Sequence, residues 1–507
     1  MMYGPEDTFK YKSLSLSLVL SLGLTLPFFT TWISTAEAFD LQSRVKEFTL
    51  NNGLKTIVLE RKGSPTFAIH MSFLVGSVEE QSGYTGTAHM LEHMLFKGTT
   101  TLGTLDWGKE YPLLKMVLKL GEKLDASRRN NAPKDLIDEL VKKLKAAQAK
   151  HKNYVASEYY SKLYSSQGGV GFNAGTSKDT TTYIIRLPSN KLELWAWIES
   201  ERMRDAVFRE YFSERDVVRE ERRRSYENKA FGKLYERYLS AAFIAHPYGR
   251  PIIGWDSDIA RLPLSTVNNF FKTWYSPNNA VIAIVGDVKF EQAKSIITKY
   301  FSDLPAKKLP DRMVSIEPPQ NGERRVQVEF DANPILLMGF HKPTLPDKDD
   351  YVFDVINSLL SGGRTSRFSK ELIINKKVAL SAETFTVPGS RYPNLFTVYI
   401  VPRPHKSIKD VEKEVWAELD KLKNTPVTKK ELKKVVNNLE AGQLRDMVSN
   451  YSMARQLAHY QQITGDWRYI MTSMNHYRSI TPEQIQRVAR KYFKHSNVTV
   501  ATLKKKI

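Results

Sequence analysis

Two stretches in opposite halves of the chain carry the same order of signals, and they constrain the fold more than any other feature. "FFKTWYSPNNAVIAIVGDV" (270–288) reads as a helix end, a turn and an apolar strand. "VARKYFKHSNVTVATLKK" (488–505) repeats that order, and setting Asn279 on Asn497 brings Tyr275 onto Phe493 and "AVIAIV" onto "VTVATL". A Pro-containing helix start precedes each, "LPLST" in one and "ITPEQ" in the other. Each half also opens with a strand-like run, "KTIVLER" or "RRVQVEF", and then passes through long helical patterns. The expected class is therefore α+β, built by duplication at domain scale. The first domain is expected over 39–302 and the second over 323–507. Between them, "DLPAKKLPDRMVSIEPPQNG" (303–322) holds four prolines and little periodicity, as a linker does.

One segment has no counterpart in the second half. From about Leu105 to Tyr164 the chain is charged and helical, with Leu136, Ile137, Leu140, Val141, Leu144 and Ala147 at three-to-four spacing. "RRNNAP" (128–133) breaks the pattern, so a helical hairpin inserted in the first domain is expected. Packing is its expected role, with a partner- or membrane-facing surface as the alternative.

The chain has no cysteine, which excludes disulfides, thiolate catalysis and Cys-ligated metals. Any metal has to be held by His and carboxylates. The formal charge of +20 is spread along the sequence, and no zinc-finger, RRM or homeodomain signature accompanies it. A solvated basic surface is expected, not a nucleic-acid partner. At the N-terminus, Lys10 and Lys12 precede "LSLSLVLSLGLTLPFF", and "AEA" at Ala36–Ala38 supplies small residues. This reads as a signal peptide (1–38) cleaved after Ala38, placing the protein in the periplasm or otherwise outside; an uncleaved anchor is the alternative. No later stretch is apolar for long enough to span a bilayer.

The chemistry concentrates in "GTAHMLEHMLFKGT" (86–99). On a helix, His89 and His93 lie one turn apart on the same face, able to reach one Zn²⁺, with Glu92 beside them. By composition, a His-x-x-acid-His pattern arises about twice in a hundred such chains, so it is informative without deciding the matter. Two histidines satisfied in a helix-packing interface remain the competing reading.

The wider stretch "GSVEEQSGYTGTAHMLEHMLFKGT" resembles the pitrilysin/insulinase family of zinc peptidases, the inverzincins, almost throughout. That family takes its third ligand from a later helix with a Glu-Arg-x-x-x-x-x-Glu pattern, matched here by "SERDVVREERRRSYEN". The resemblance implies that His89, His93 and Glu221 bind zinc, that Glu92 is the general base, and that Glu214 orients a ligand histidine. Glu220 is expected to point elsewhere. The resemblance also implies two α/β-sandwich domains of the pitrilysin/processing-peptidase type. In "GGVGFNAGTSKDTTTYIIRLP" (168–188) it implies a sheet edge on which Asn173, Ala174 and Gly175 meet a peptide substrate.

The match fails at one place. In "LLSGGRTSRFSKELIINKKVALS" (359–381) the family often carries an Arg and, seven residues on, a Tyr that hold the substrate; here Ile373 and Leu380 stand there. The half-sized members of the family work as facing pairs. This chain is therefore expected to be the zinc-bearing subunit of a heterodimer whose homologous partner supplies Arg and Tyr. The alternative is a homodimer in which Arg364 or Arg367 substitutes. The implied activity is cleavage of unfolded peptides or small proteins within a closed chamber. A non-catalytic assembly or binding subunit of the same fold is the competing function.

Overall fold

The two asparagines matched by the repeat make matching hydrogen bonds. Asn279 Nδ2 donates to the Trp274 carbonyl (2.8 Å) and the Leu74 carbonyl (3.4 Å); Asn497 Nδ2 donates to the Tyr492 carbonyl (2.8 Å) and the His341 carbonyl (3.0 Å). Each side chain closes the turn between a helix end and a central strand, a role that the short, turn-favouring Asn amide suits. The structure, a computed structural model, describes residues 41–506. The expected signal peptide and its cleavage after Ala38 lie outside the described residues. Leu41–Arg44 form a single helical turn. The account below concerns residues 45–506, which belong to one compact unit.

The first sheet contains β1 (Val45–Thr49), β2 (Lys55–Glu60), β3 (Thr66–Phe73), β4 (Val170–Thr176), β5 (Thr181–Pro188) and β6 (Ala280–Gly286), in the order β1-β2-β6-β3-β5-β4. The second contains β7 (Arg324–Phe330), β8 (Ile335–Lys342), β9 (Ala379–Val387), β10 (Asn394–Pro402) and β11 (Val498–Lys505), in the order β7-β11-β8-β10-β9. In each sheet the strand after the repeat asparagine is inserted late. β6 runs parallel to β2 and antiparallel to β3, as β11 does to β7 and β8. β6 is buried along its whole length, which explains its uninterrupted apolar sequence.

Each half lends a helix to the other sheet. Ala230–Ala242, from the first half, packs on β7 and β11, and Asn450–Thr464, from the second, packs on β3 and β6. Tyr238 Oη hydrogen-bonds with Thr397 (2.7 Å), and Gly339 is required opposite it because a Cβ there would lie 1.8 Å from that hydroxyl. In return, Gln462 Nε2 donates to the Ser72 carbonyl at 2.5 Å. Residues 305–323 contain no helix or strand. They are nevertheless pinned to the body. Arg312 pairs with Glu79 and donates to the Leu74 carbonyl (2.6 Å), and Glu317 accepts from the Ile244, Ala245 and His246 amides.

The insertion forms the hairpin expected of it, with helices Trp107–Arg129 and Lys134–Lys152. Val117, Leu124, Leu140, Leu144 and Ala147 join the first core. Two buried ion pairs staple the hairpin down. Asp125 takes a forked pair of bonds from Arg215 (2.7 and 3.0 Å), and Glu110 is held by Arg209 (2.6 and 3.2 Å) and His151 (3.1 Å). Packing is therefore what the hairpin's inner face does. Among the described residues no helix is long and apolar enough to cross a membrane.

Candidate metal centre

The histidines sit on a short helix, Thr87–Met94, whose start is fixed by its own upstream loop. Gly86 precedes it with φ +89°, and a Cβ there would come 2.5 Å from the Ile253 carbonyl, so the position needs glycine. Glu80 reaches back to accept from the Gly86 (2.9 Å) and Ala88 (2.8 Å) amides, satisfying donors that a helix N-terminus leaves unpaired. One turn apart, the His89 and His93 rings lie edge to face with centroids 4.7 Å apart.

Glu221 comes from a second helix, Tyr211–Arg222, in which Glu214 lies two turns earlier on the same face. Glu221 Oε2 is 3.4 Å from His93 Nε2 and 3.8 Å from His89 Nε2, and one ligand atom from each of the three residues lies within 4.8 Å of the others. Donors at about 2.0–2.1 Å from a tetrahedral zinc stand about 3.3–3.4 Å from one another, so two imidazoles and a carboxylate so placed fit that ion. His93 Nδ1 is held by Glu214 Oε1 at 2.8 Å, and the other Glu214 oxygen takes Lys97 Nζ at 2.6 Å. Lys97 in turn reaches Glu210 at 3.2 Å. His89 has no such support: its Nδ1 is buried and makes no hydrogen bond among the described residues. Glu220 pairs with Arg223 and Arg224, away from the histidines, as expected.

Charge is distributed unevenly across this pocket. Burial, reinforced by the charge of His93, holds the His89 pKa below the usual imidazole range. Burial also disfavours charge on His93, but hydrogen bonds to Glu214 and Glu221 outweigh it and raise its pKa to about 9. Burial likewise opposes charge on Glu214, yet His93 and Lys97 bring it down to about 2; Glu221 is lowered against burial by His93. The two carboxylates beside His93 thus favour a proton on its ring, and a metal, which needs the neutral imidazole, would compete with that proton.

Glu92 faces the sheet edge. Its Oε2 accepts from Thr176 Oγ1 at 2.6 Å, which places the end of β4 against the helix that carries the histidines. Among the described residues β4 is an edge strand bonded only to β5, with a register shift between Val170 and Asn173. Asn173 is exposed, Ala174 is turned inward and Gly175 is half-buried with open space above its Cα, so the three expected substrate residues lie along that edge. Sequence reasoning missed Glu80, Lys97 and Thr176 as parts of the site. Thr176 was within reach of a period-two reading two positions past Ala174, whereas nothing local marks Lys97.

The positions matched to the missing Arg and Tyr carry no hydrogen-bonding side chain. Ile373 packs against the second core, and Leu380 is 48% exposed on β9. Arg367 is occupied by Glu431 through two 2.9 Å bonds, and Arg364 is exposed.

Two family profiles match the chain: Insulinase (Peptidase family M16) over residues 56–115 and Peptidase M16 inactive domain over residues 261–439. The chain belongs to the M16, or insulinase, peptidase family. Among its M16 relatives, zinc protease PqqE of Helicobacter pylori is 28% identical over 95% of this chain and 98% of that protein. The probable mitochondrial-processing peptidase subunit beta of Arabidopsis thaliana is 22% identical over 90% of this chain and 77% of that protein. A crystal structure of a Helicobacter pylori protease superposes with a TM-score of 0.76 at 27% identity, covering 91% of this chain and 99% of that one. The structure of a peptidase M16 inactive domain from Pseudomonas fluorescens gives 0.72 at 18% identity, covering 91% and 98%. The two-domain M16 architecture is thus the fold of this chain. The second profile begins at residue 261, near the end of the first half, and runs to 439 in the second, whose helix after β8, Lys348–Ser361, carries no His.

Proposed function

We propose that this chain is an exported zinc-dependent endopeptidase that cleaves unfolded peptides, with His89, His93 and Glu221 as ligands and Glu92 as general base. The observation that carries this is the convergence of two imidazoles and a carboxylate, from helices far apart in sequence, beside a second carboxylate on the same helix as the imidazoles. Zinc held there supplies Lewis acidity toward a carbonyl oxygen and a water molecule. Glu92 takes the proton of the attacking water and delivers it to the leaving amine. Thr176 aims the Glu92 carboxylate. Glu214, backed by Lys97, fixes the ring of His93 so that Nε2 faces Glu221. An extended peptide adds to the free edge of β4, past Asn173, Ala174 and Gly175. Export rests on the N-terminal sequence alone.

The test is metal analysis together with peptide cleavage. Glu92→Gln should keep one zinc per chain and lose about 10²–10⁴ in turnover. His93→Ala and Glu221→Gln should lose the zinc itself. Cleavage by Glu92→Gln equal to wild type would sink the mechanism. A non-catalytic binding subunit is disfavoured because all four groups are present and assembled.

Ile373 and Leu380 favour a second feature: a homologous partner that supplies the Arg and Tyr across a closed chamber. Activity should then rise sharply when the chain is mixed with a relative carrying that pair, and full activity of the chain alone would overturn this.

A further inference from the structure

Arg202 lies on helix Leu192–Asp205, is 3% exposed, and none of its three guanidinium nitrogens makes a hydrogen bond among the described residues. It forms an ion pair with the equally buried Glu199 at 3.4 Å, and Glu199 Oε1 also accepts from Tyr164 Oη at 2.9 Å. Four rings close around the guanidinium: Tyr183 at 4.8 Å, Tyr160 at 4.9 Å, Phe96 at 5.4 Å and Phe172 at 5.6 Å. A buried cation without hydrogen bonds is costly, and aromatic faces recover only part of that cost. Removing the cation alone would strand the buried Glu199 carboxylate, so the ion pair explains why the charge is kept but not why four rings surround it.

The identity of the rings suggests why. Phe96 lies just beyond the helix bearing His89 and His93, Tyr160 lies on the helix Tyr159–Ser166 that leads into β4, Phe172 is on β4 and Tyr183 on β5. Phe172 occupies the stretch where the β4–β5 ladder shifts register, so backbone pairing holds it least. Its ring is gripped instead, 5.2 Å from Phe96 and 4.7 Å from Tyr164 as well as against Arg202. Phe172, Ala174 and Thr176 share one face of β4. That face is thus pinned at one end by the Arg202 box and at the other by the Glu92–Thr176 bond. The strand edge between the two pins is the one on which a substrate peptide would lie.

We propose that Arg202 is a positioning residue that sets the depth and register of β4 for an added peptide strand, acting through the rings of Phe96, Tyr160, Phe172 and Tyr183. This rests on the peptidase reading above. The test is steady-state kinetics on one unstructured fluorogenic peptide, with zinc content, for wild type, Arg202→Met, Arg202→Lys and Phe172→Leu. Arg202→Met and Phe172→Leu should raise KM about tenfold, with kcat within about twofold and zinc unchanged. Arg202→Lys, which returns a cation to the rings, should recover most of that loss. A fall in kcat at constant KM, or a Lys variant as impaired as the Met variant, would overturn the proposal. Should Arg202→Met fail to fold, Phe172→Leu and amide hydrogen exchange carry the test: faster exchange confined to residues 170–176 supports it, and a uniform rise overturns it. A wild type that cleaves while the variants keep its KM defeats this proposal alone. A wild type without zinc-dependent cleavage defeats the peptidase reading; binding of the same labelled peptide then decides, with weaker binding by the variants in favour, and equal or absent binding against.

Discussion

Thr176 Oγ1 donates a 2.6 Å hydrogen bond to Glu92 Oε2, joining the last residue of an edge strand to the carboxylate proposed as general base. A hydrogen bond to a carboxylate is among the stronger ones a side chain makes, and it restricts how that carboxylate turns. Thr176→Val keeps the shape and removes the donor, so kcat should fall about tenfold while zinc content holds. Thr176→Ser should restore most of the rate. Kinetics at saturating peptide, paired with metal analysis, separate this from packing; a Val variant with wild-type kcat would mean that Thr176 only fills space.

Glu80 makes a different prediction, about the metal and not the rate. Its carboxylate serves the Gly86 and Ala88 amides at the start of the helix that carries both histidines. Glu80→Ala leaves two buried donors without an acceptor, at about 1–3 kcal/mol for such groups. The denaturation midpoint should drop and zinc affinity should fall with it, because the helix start no longer holds. Glu80→Gln keeps one acceptor oxygen and should lie between. Competition with a chromophoric chelator measures the affinity, and unchanged affinity in Glu80→Ala would show that packing alone fixes the helix.

What the sequence disclosed and withheld follows from the range of each interaction. His89 with His93, and Glu214 with Glu221, are related by helical period, so their spacing alone placed each pair on one face. Asn279 and Asn497 were legible because each acts within a five-residue turn, and the matched bonds to Trp274 and Tyr492 bear that out. The hairpin was legible through its apolar spacing and its break at 128–133. Thr176 meets Glu92 across 84 positions, and Lys97 meets Glu214 only once two helices cross. No periodicity reports such contacts. The exchange of helices Ala230–Ala242 and Asn450–Thr464 was hidden for another reason: amphipathic faces reveal that a helix is covered, not which sheet covers it. Arg202 is one of several charges in helix Leu192–Asp205, and only tertiary packing shows it enclosed by rings.

The hairpin's attachment can be tested through Asp125 and Arg215, a forked pair with both partners buried, next in sequence to Glu214. Arg215→Met strands the Asp125 carboxylate and should destabilise by about 3–5 kcal/mol. Asp125→Leu together with Arg215→Met removes both charges and should recover much of that loss. Denaturant midpoints for the two single variants and the double variant give the coupling. Additive losses would mean that the pair holds nothing together.

The last prediction concerns acid. Asp349, at the start of helix Lys348–Ser361, meets Arg487, Lys491 Nζ (3.2 Å) and Tyr492 Oη (3.0 Å) of helix Pro482–Tyr492. The Arg487 contact, with Lys491 and Tyr492 adding to it against burial, lowers its carboxyl from 3.8 to about 2. A carboxylate whose pKa is depressed by folding stabilises the fold above its unfolded value and loses that contribution as pH falls through the folded value. The contribution is therefore complete above about pH 5, roughly halved at pH 3, and gone below about pH 2. Arg487 and Lys491 are 52% and 54% exposed, so solvent screens the pair. That keeps its worth near or below about 1 kcal/mol. Asp349→Asn should accordingly unfold at slightly lower denaturant than wild type at pH 7, and the gap should narrow by about half at pH 3. A gap that stays constant from pH 7 to pH 3 would show that the loss comes from helix geometry and not from the charge on Asp349.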